Sequence, residues 1–300
     1  MISRRAFFVA GSLAIMGAAT PSPLLLAAPR RRFGSLPASL AQLEKENNGR
    51  LGVAVLDTGS NESSGHRTDE RFAMCSTFKM LLAAAVLERV DSGKESLARR
   101  IPIPATGLLP HSPATQEHAG SSMPILELCA AIVTLSDNTA ANLLLASIDG
   151  PAGITRFARS LGDNVTRLDR IEVALNEALP GDPRDTTSPG AMVANMQKLI
   201  LGNKLSAGSR ERLTGWMIAN KTGDARLRAG ITSGWRVGDK TGANGENTTN
   251  DIATIWPPRQ APVLVAAYLT ACAGSEAKRN AVLAQVGRLV TQSILESTQV

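Results

Sequence analysis

The sequence predicts a mixed α/β protein of the α+β kind, with one antiparallel sheet built from both chain ends and a helical lobe inserted between them. Three observations predict it. A β-rich run, RLGVAVLD at 50–57, lies near the start. Strand patterns return only after residue 234, at WRVGDKTG (235–242), TTNDIATIWPP (248–258) and PVLVAAYLT (262–270). Between them the chain is mostly helical. Sheet segments split by a long helical stretch pair most simply across the gap, leaving the middle as a lobe of its own. The expected division is 29–70 with 220–300 for the sheet lobe and 71–219 for the helical lobe. A cleft between two lobes is a usual place for a small-molecule site.

Each element has a local reason. Ser39–Glu46 has helical spacing and ends near Asn47-Asn48-Gly49. The first strand stops at TGSNESSG, 58–65, a cluster of turn-forming residues. FKMLLAAAVLERV (78–90) and MPILELCAAIVTL (123–135) are too apolar to be surface helices and are expected in a core. Asn244-Gly245 signals the turn of a hairpin joining the strands on either side. SEAKRNAVLAQVGRLVTQSILES, 275–297, reads as a closing amphipathic helix.

Residues 1–28 are of another kind. MISRRAFF is a charged start, VAGSLAIMGAA is a short apolar run, and Leu26-Ala27-Ala28 offers a small-residue cleavage site. This reads as an export signal. Ser3-Arg4-Arg5-Ala6-Phe7-Phe8 resembles the twin-arginine export motif, with an ordinary secretory signal as the alternative. Export would place the mature protein in the periplasm or outside the cell. No cysteine lies near the cleavage region and no later segment could span a bilayer, so no stable membrane association is expected.

The chain has 300 residues, 43% hydrophobic and 19% charged, enough apolar content for a substantial core. Its net charge of +6 falls to +4 when Arg4 and Arg5 leave with the signal. With one tyrosine and no stripe of Lys and Arg, it carries no nucleic-acid footprint. Cys75, Cys129 and Cys272 are too few and odd in number for a disulfide framework, and are expected as small buried residues. His66, His111 and His118 show no paired ligand spacing, so neither a metal nor another cofactor is expected.

Candidate chemistry begins at Cys75-Ser76-Thr77-Phe78-Lys79. Ser76 opens an apolar helix and Lys79 lies one turn on, so the amine can reach the hydroxyl. A serine needs a neighbouring base to become nucleophilic, and a lysine of depressed pKa can serve. The helix N-terminus adds positive potential for an oxyanion. Ser-x-x-Lys alone is expected about once by chance, and it recurs at Ser275–Lys278 on the terminal helix, where it reads as solvated surface.

Ser136-Asp137-Asn138 sits at a helix boundary. It can be a cap. It can also supply a proton relay in Ser136 and a hydrogen bond to a substrate amide in Asn138. RLDRIEVALNEALPGDPRDTT, 167–187, is long and irregular, as functional ordered loops often are. Its charges read either as a salt-bridged surface or as ion pairs that turn one carboxylate to the cleft. Lys-Thr-Gly occurs twice, at Lys221–Gly223 and Lys240–Gly242. The second ends a strand pattern, where backbone N–H groups stand in a rigid row, and is the better candidate for holding substrate. The first reads as connection.

Together Ser76-x-x-Lys79, Ser136-Asp137-Asn138, Glu172 with Asn176, and Lys240-Thr241-Gly242 resemble a class A serine β-lactamase. Each motif is weak. Their order, with 60 residues from Ser76 to Ser136, 36 to Glu172 and 68 to Lys240, is specific, and the likeness runs from about residue 37 to the last helix.

The resemblance implies a five-stranded sheet flanked by helices, a fold shared with penicillin-binding proteins, and a monomer acting on small β-lactam substrates. It implies that Ser76 is acylated, that Lys79 and Glu172 share base duty, and that Glu172 with Asn176 holds the hydrolytic water. Ser136 would protonate the leaving nitrogen and Asn138 would bind the substrate side chain. Backbone N–H groups of Ser76 and Ala243 would form the oxyanion hole. Lys240, Thr241 and Arg226 would take the substrate carboxylate, with Arg228 the neighbouring alternative to Arg226. Arg170 and Asp185 would pin the loop.

Departures from the family pattern are Ile171, Val173 and Ala174 around Glu172, and His111 at the expected cleft rim. Asn244 stands where a disulfide partner of Cys75 would be, so no such bridge is expected. Two rivals stay open. One is a penicillin-binding transpeptidase or sensor, which would stay acylated. The other is a general serine esterase, although Gly-x-Ser-x-Gly is absent.

Overall fold

Both ends of the chain do meet in one sheet. The computed structural model describes residues 1–2 and 32–296. Helix α1 (Leu36–Asn47) ends where Asn48 turns left-handed (φ 50°) and leads into β1 (Arg50–Asp57) and β2 (Ser63–His66). The short β3 (Phe72–Ala73) leads to α2 (Phe78–Asp91), then β4 (Arg100–Pro102), α3 (Pro113–Glu117) and β5 (Ser122–Pro124). Helices α4 (Ile125–Thr134), α5 (Asn138–Ala146) and α6 (Pro151–Ser160) follow. After a long loop come β6 (Thr186–Thr187), α7 (Pro189–Met196) and α8 (Ala207–Ile218). Strands β7 (Arg236–Ala243), β8 (Thr249–Trp256) and β9 (Val263–Thr270) and helix α9 (Glu276–Glu296) complete the chain.

The sheet is antiparallel and five-stranded, in the order β2-β1-β9-β8-β7. Alternate residues of β9 face opposite ways, as strand geometry demands. Leu264, Ala266 and Tyr268 join the core built with α2, α4, α5 and α7, while Val263, Val265, Ala267 and Leu269 join the core under α1 and α9. With both faces covered, β1 and β9 read as largely apolar runs. Helix α2 is buried from Phe78 to Leu87, so its apolar character extends all round.

One element departs from the sequence reading. Residues 63–65, expected within a turn, form β2 together with His66, with Ser64 opposite Val55 and Ser63 opposite Leu56. A serine-rich edge strand faces solvent along its free side and carries no apolar alternation to betray it. The hairpin between β7 and β8 turns as expected, with Asn244 Oδ1 accepting from the N–H groups of Glu246, Asn247 and Thr248, and Gly245 at φ 82°. Cys75, Cys129 and Cys272 are buried free thiols, and burial pushes the Cys75 thiol up to about 12. The export-signal reading of residues 1–28 falls almost wholly outside the described residues. Among those described, no helix is long and apolar enough to cross a membrane.

Candidate active site

Ser76 lies in the 3-10 turn Cys75–Thr77 that feeds α2. Two contacts from the far end of the chain hold that turn. Asn250 Nδ2 on β8 donates to the carbonyls of Ala73 (2.9 Å) and Met74 (3.1 Å). On β7, Gly242 lies so close that a Cβ would stand 2.7 Å from Met74 O and 3.1 Å from both Ser76 N and Thr77 N. Only glycine allows that approach. It brings the end of β7 against the backbone N–H of Ser76, with Ala243 the next residue along the strand.

Lys79 is fully buried. Its ammonium donates to Ser136 O (2.8 Å) and Asn138 Oδ1 (2.6 Å), and pairs with Glu172 Oε1 (2.9 Å). Three acceptors match the three N–H bonds of an ammonium. Burial nonetheless pushes its pKa down, against the opposing pull of Glu172. The Ser76 hydroxyl donates to Glu172 Oε1 at 3.3 Å, so one carboxylate oxygen stands between the serine and the lysine.

Glu172 is held on all sides. Its second oxygen accepts from Asn176 Nδ2 (2.7 Å). Asn142 clamps its backbone twice, accepting from Glu172 N (2.9 Å) and donating to Glu172 O (2.8 Å). The loop is pinned as the resemblance implied. Asp185, fully buried, accepts from Asp169 N (2.7 Å), Arg170 N (2.9 Å) and Arg170 Nε (2.6 Å). The flanking Ile171 and Val173 are about half exposed, so the residues that depart from the family pattern point outward while the carboxylate points in.

Ser136 sits at φ 60° before α5. Asp137 caps that helix, accepting from Ala140 N (2.8 Å), and also takes the N–H groups of Ala114 (3.0 Å) and Thr115 (2.9 Å). The capping reading of the tripeptide therefore holds, in Asp137. The Ser136 hydroxyl lies 3.1 Å from Lys240 Nζ and 3.4 Å from Lys79 Nζ. Two ammonium groups facing one hydroxyl make it a ready route for a proton. Asn138 spends Oδ1 on Lys79 and one amide hydrogen on Pro110 O (2.8 Å), which leaves a second hydrogen on Nδ2.

Lys240 is fully buried on β7, and burial, then the cations of Lys79 and Arg226, hold its pKa well below the usual lysine range. Its ammonium also donates to Thr241 O (2.8 Å). Arg226, 6% exposed, donates from Nη1 to Gly242 O (3.0 Å) and Asn250 O (2.8 Å) and from Nε to Asn280 Oδ1 (3.0 Å). It braces the β7–β8 pair beside Thr241. Arg228 pairs with Asp239 instead. The second Ser-x-x-Lys is exposed surface, with Ser275 Oγ accepting from Lys278 N at the start of α9.

Sequence reasoning missed Asn142 and Asn250. Asn142 had a signal, since it lies one helical turn after Asn138 and so on the same face. Asn250 had none, because its partners are 176 and 177 residues away.

The model of the β-lactamase enzyme family matches residues 35–294. The chain is 48% identical to β-lactamase L2 of Stenotrophomonas maltophilia, over 98% of this chain and all of that protein. It is 45% identical to β-lactamase CTX-M-8 of Citrobacter amalonaticus, over 92% of this chain and 96% of that one. Among solved structures, the class A β-lactamase of the last common ancestor of Gram-negative bacteria superposes with a TM-score of 0.85 at 59% identity, covering 87% of this chain and all of that one. A putative class A β-lactamase from Rhodopseudomonas palustris gives 0.84 at 55% identity, covering 86% and 99%.

Proposed function

Because this chain belongs to the class A β-lactamases, enzymes that open β-lactam rings through a serine, we propose that its partly buried Ser76 and the buried Glu172, Lys79, Ser136 and Lys240 linked to it are the catalytic apparatus. The protein hydrolyses β-lactams, penicillins and cephalosporins among them, and so confers antibiotic resistance. The observation that carries the assignment of roles is the position of Glu172 Oε1, 3.3 Å from the nucleophile and 2.9 Å from Lys79 Nζ.

In acylation, the Ser76 proton passes to the Glu172–Lys79 pair as Oγ attacks the lactam carbonyl. The N–H groups of Ser76 and Ala243 stabilise the oxyanion. The C–N bond breaks, the nitrogen takes the Ser136 proton, Lys79 replaces it, and the proton that Glu172 took from Ser76 restores Lys79, which leaves Glu172 ionised for the next step. In hydrolysis, Glu172 takes a proton from water, which attacks the ester and releases Ser76 Oγ with its proton restored. Asn176 Oδ1 is buried and has no protein partner among the described residues, which suits it to accept from that water. Lys240 and Thr241, with Arg226 behind them, hold the substrate carboxylate, and Asn138 holds the substrate amide. The site lies in a cleft between a sheet lobe, 29–70 with 220–300, and a helical lobe, 71–219. The enzyme works as a monomer, exported to the periplasm or beyond, with no stable membrane association.

An intact-mass time course of the mature protein with excess benzylpenicillin tests this reading. A transient or absent adduct, with the drug gaining one water, supports it. A lasting adduct of one penicillin would instead make the protein an acylated transpeptidase or sensor, and unmodified protein with intact drug would overturn the apparatus altogether.

A further inference from the structure

The first Lys-Thr-Gly copy stands apart from this apparatus, yet it packs on the second. Lys221 is exposed and Gly223 lies under Asp239, where a Cβ would meet Oδ2 at 1.7 Å. Between them, the Thr222 hydroxyl is 2.5 Å from the Thr241 hydroxyl. That is the short end of the range for an O–H···O bond, so a proton must lie between the two oxygens.

The neighbours define where protons can go. Asn220 Nδ2 donates to Asp239 Oδ2 (2.7 Å). Asn220 Oδ1 accepts from Thr222 N (3.1 Å), and a backbone N–H can only donate, so the oxygen of this amide faces Thr222. The same Oδ1 is 2.9 Å from Thr222 Oγ1. The Thr222 proton thus has two destinations, Asn220 Oδ1 and Thr241 Oγ1. When it points to Asn220, Thr241 must donate to Thr222 and offers only lone pairs to a ligand. When it points to Thr241, Thr241 is free to donate outward. Asn220 Oδ1 keeps its bond from Thr222 N in either state, so the switch orphans no acceptor.

We propose that Thr222 is a positioning residue for substrates that carry a carboxylate: its hydroxyl fixes the Thr241 side chain and turns its proton to Thr241, which then donates its own to the carboxylate. A hydroxyl that accepts a hydrogen bond is also a stronger donor. The inference rests on the reading that Lys240 and Thr241 hold that group. It assigns Thr222 a part in choosing anionic over neutral substrates.

The test compares benzylpenicillin with its methyl ester in the wild type, Thr222→Ala and Thr222→Ser. Wild type is expected to favour the acid. In Thr222→Ala, KM for the acid should rise about 3- to 10-fold, with kcat and all constants for the ester little changed. Thr222→Ser, which keeps the hydroxyl, should behave as wild type. If Thr222→Ala folds poorly, Thr222→Cys, which keeps the size but donates weakly, takes its place with the same expectation. An unchanged ratio of acid to ester in the variant overturns the inference, as does a serine variant as impaired as alanine. A wild type that does not distinguish acid from ester would overturn the carboxylate reading itself, a result separable from the other two.

Discussion

Replacing Asn142 by alanine isolates the positioning of Glu172 from its chemistry. The side chain makes two hydrogen bonds to one residue, to Glu172 N (2.9 Å) and Glu172 O (2.8 Å), and touches no reacting atom. Each bond contributes about 0.5–1.5 kcal/mol net, so losing both costs roughly 1–3 kcal/mol. In a chain of this size that lowers the melting temperature by roughly 2–5 °C. The effect on function should exceed the effect on folding. Without the clamp, Glu172 keeps Lys79 and Asn176 as partners, but its backbone is free to shift. Misplacing a reacting group by about 1 Å can cost on the order of 100-fold. The acyl-enzyme should therefore accumulate with benzylpenicillin while acylation continues, readable by rapid-quench intact mass beside a thermal melt of the same sample. A variant that melts lower but turns over at the wild-type rate would refute the argument, because the clamp would then serve stability alone.

Glu172→Gln should leave Ser76 acylated and slow hydrolysis by about 100- to 10,000-fold, seen as a persistent adduct in the mass spectrum, whereas near-normal turnover would remove Glu172 from the mechanism. Lys240→Ala should raise KM about 10-fold or more for carboxylate substrates, while Lys221→Ala, on the exposed copy of the motif, should change steady-state kinetics little. Glu44 is pulled down to about 2 from an ordinary 4.5, since burial is outweighed by hydrogen bonds from Arg67, Leu51 N and His66. The unfolded chain takes up that proton first, so the stability Glu44 adds is present above about pH 5 and fades as pH falls toward 2. Glu44→Gln should flatten the denaturation midpoint across that window, and an unaltered acid profile would assign the loss to other carboxylates.

Much of the site was legible because its chemistry is local. Ser76 and Lys79 need only one helical turn to share a face, and Ser136, Asp137 and Asn138 are consecutive at a helix start. β1 was legible from its run of apolar residues, since a strand covered on both faces must be apolar throughout. β2 was not, because an edge strand of serines pairs by backbone alone and leaves no side-chain pattern.

By itself the sequence determined the inventory: which side chains exist, which lie at element ends, and the order in which the chain presents them. That order carries the family likeness. The tertiary structure decided what touches what over long separations. It set Glu172 on Lys79 across the long loop, where Asp185 and Asn142 hold the backbone that aims the carboxylate. It laid Gly242 against the Ser76 turn, a contact that depends on the register of an edge strand. It brought Thr222 onto Thr241, so that a tripeptide resembling connection became the neighbour of the one proposed to hold substrate. The physical reason is that hydrogen bonds between distant residues depend on packing to within a fraction of an ångström. No periodicity along the chain encodes that distance.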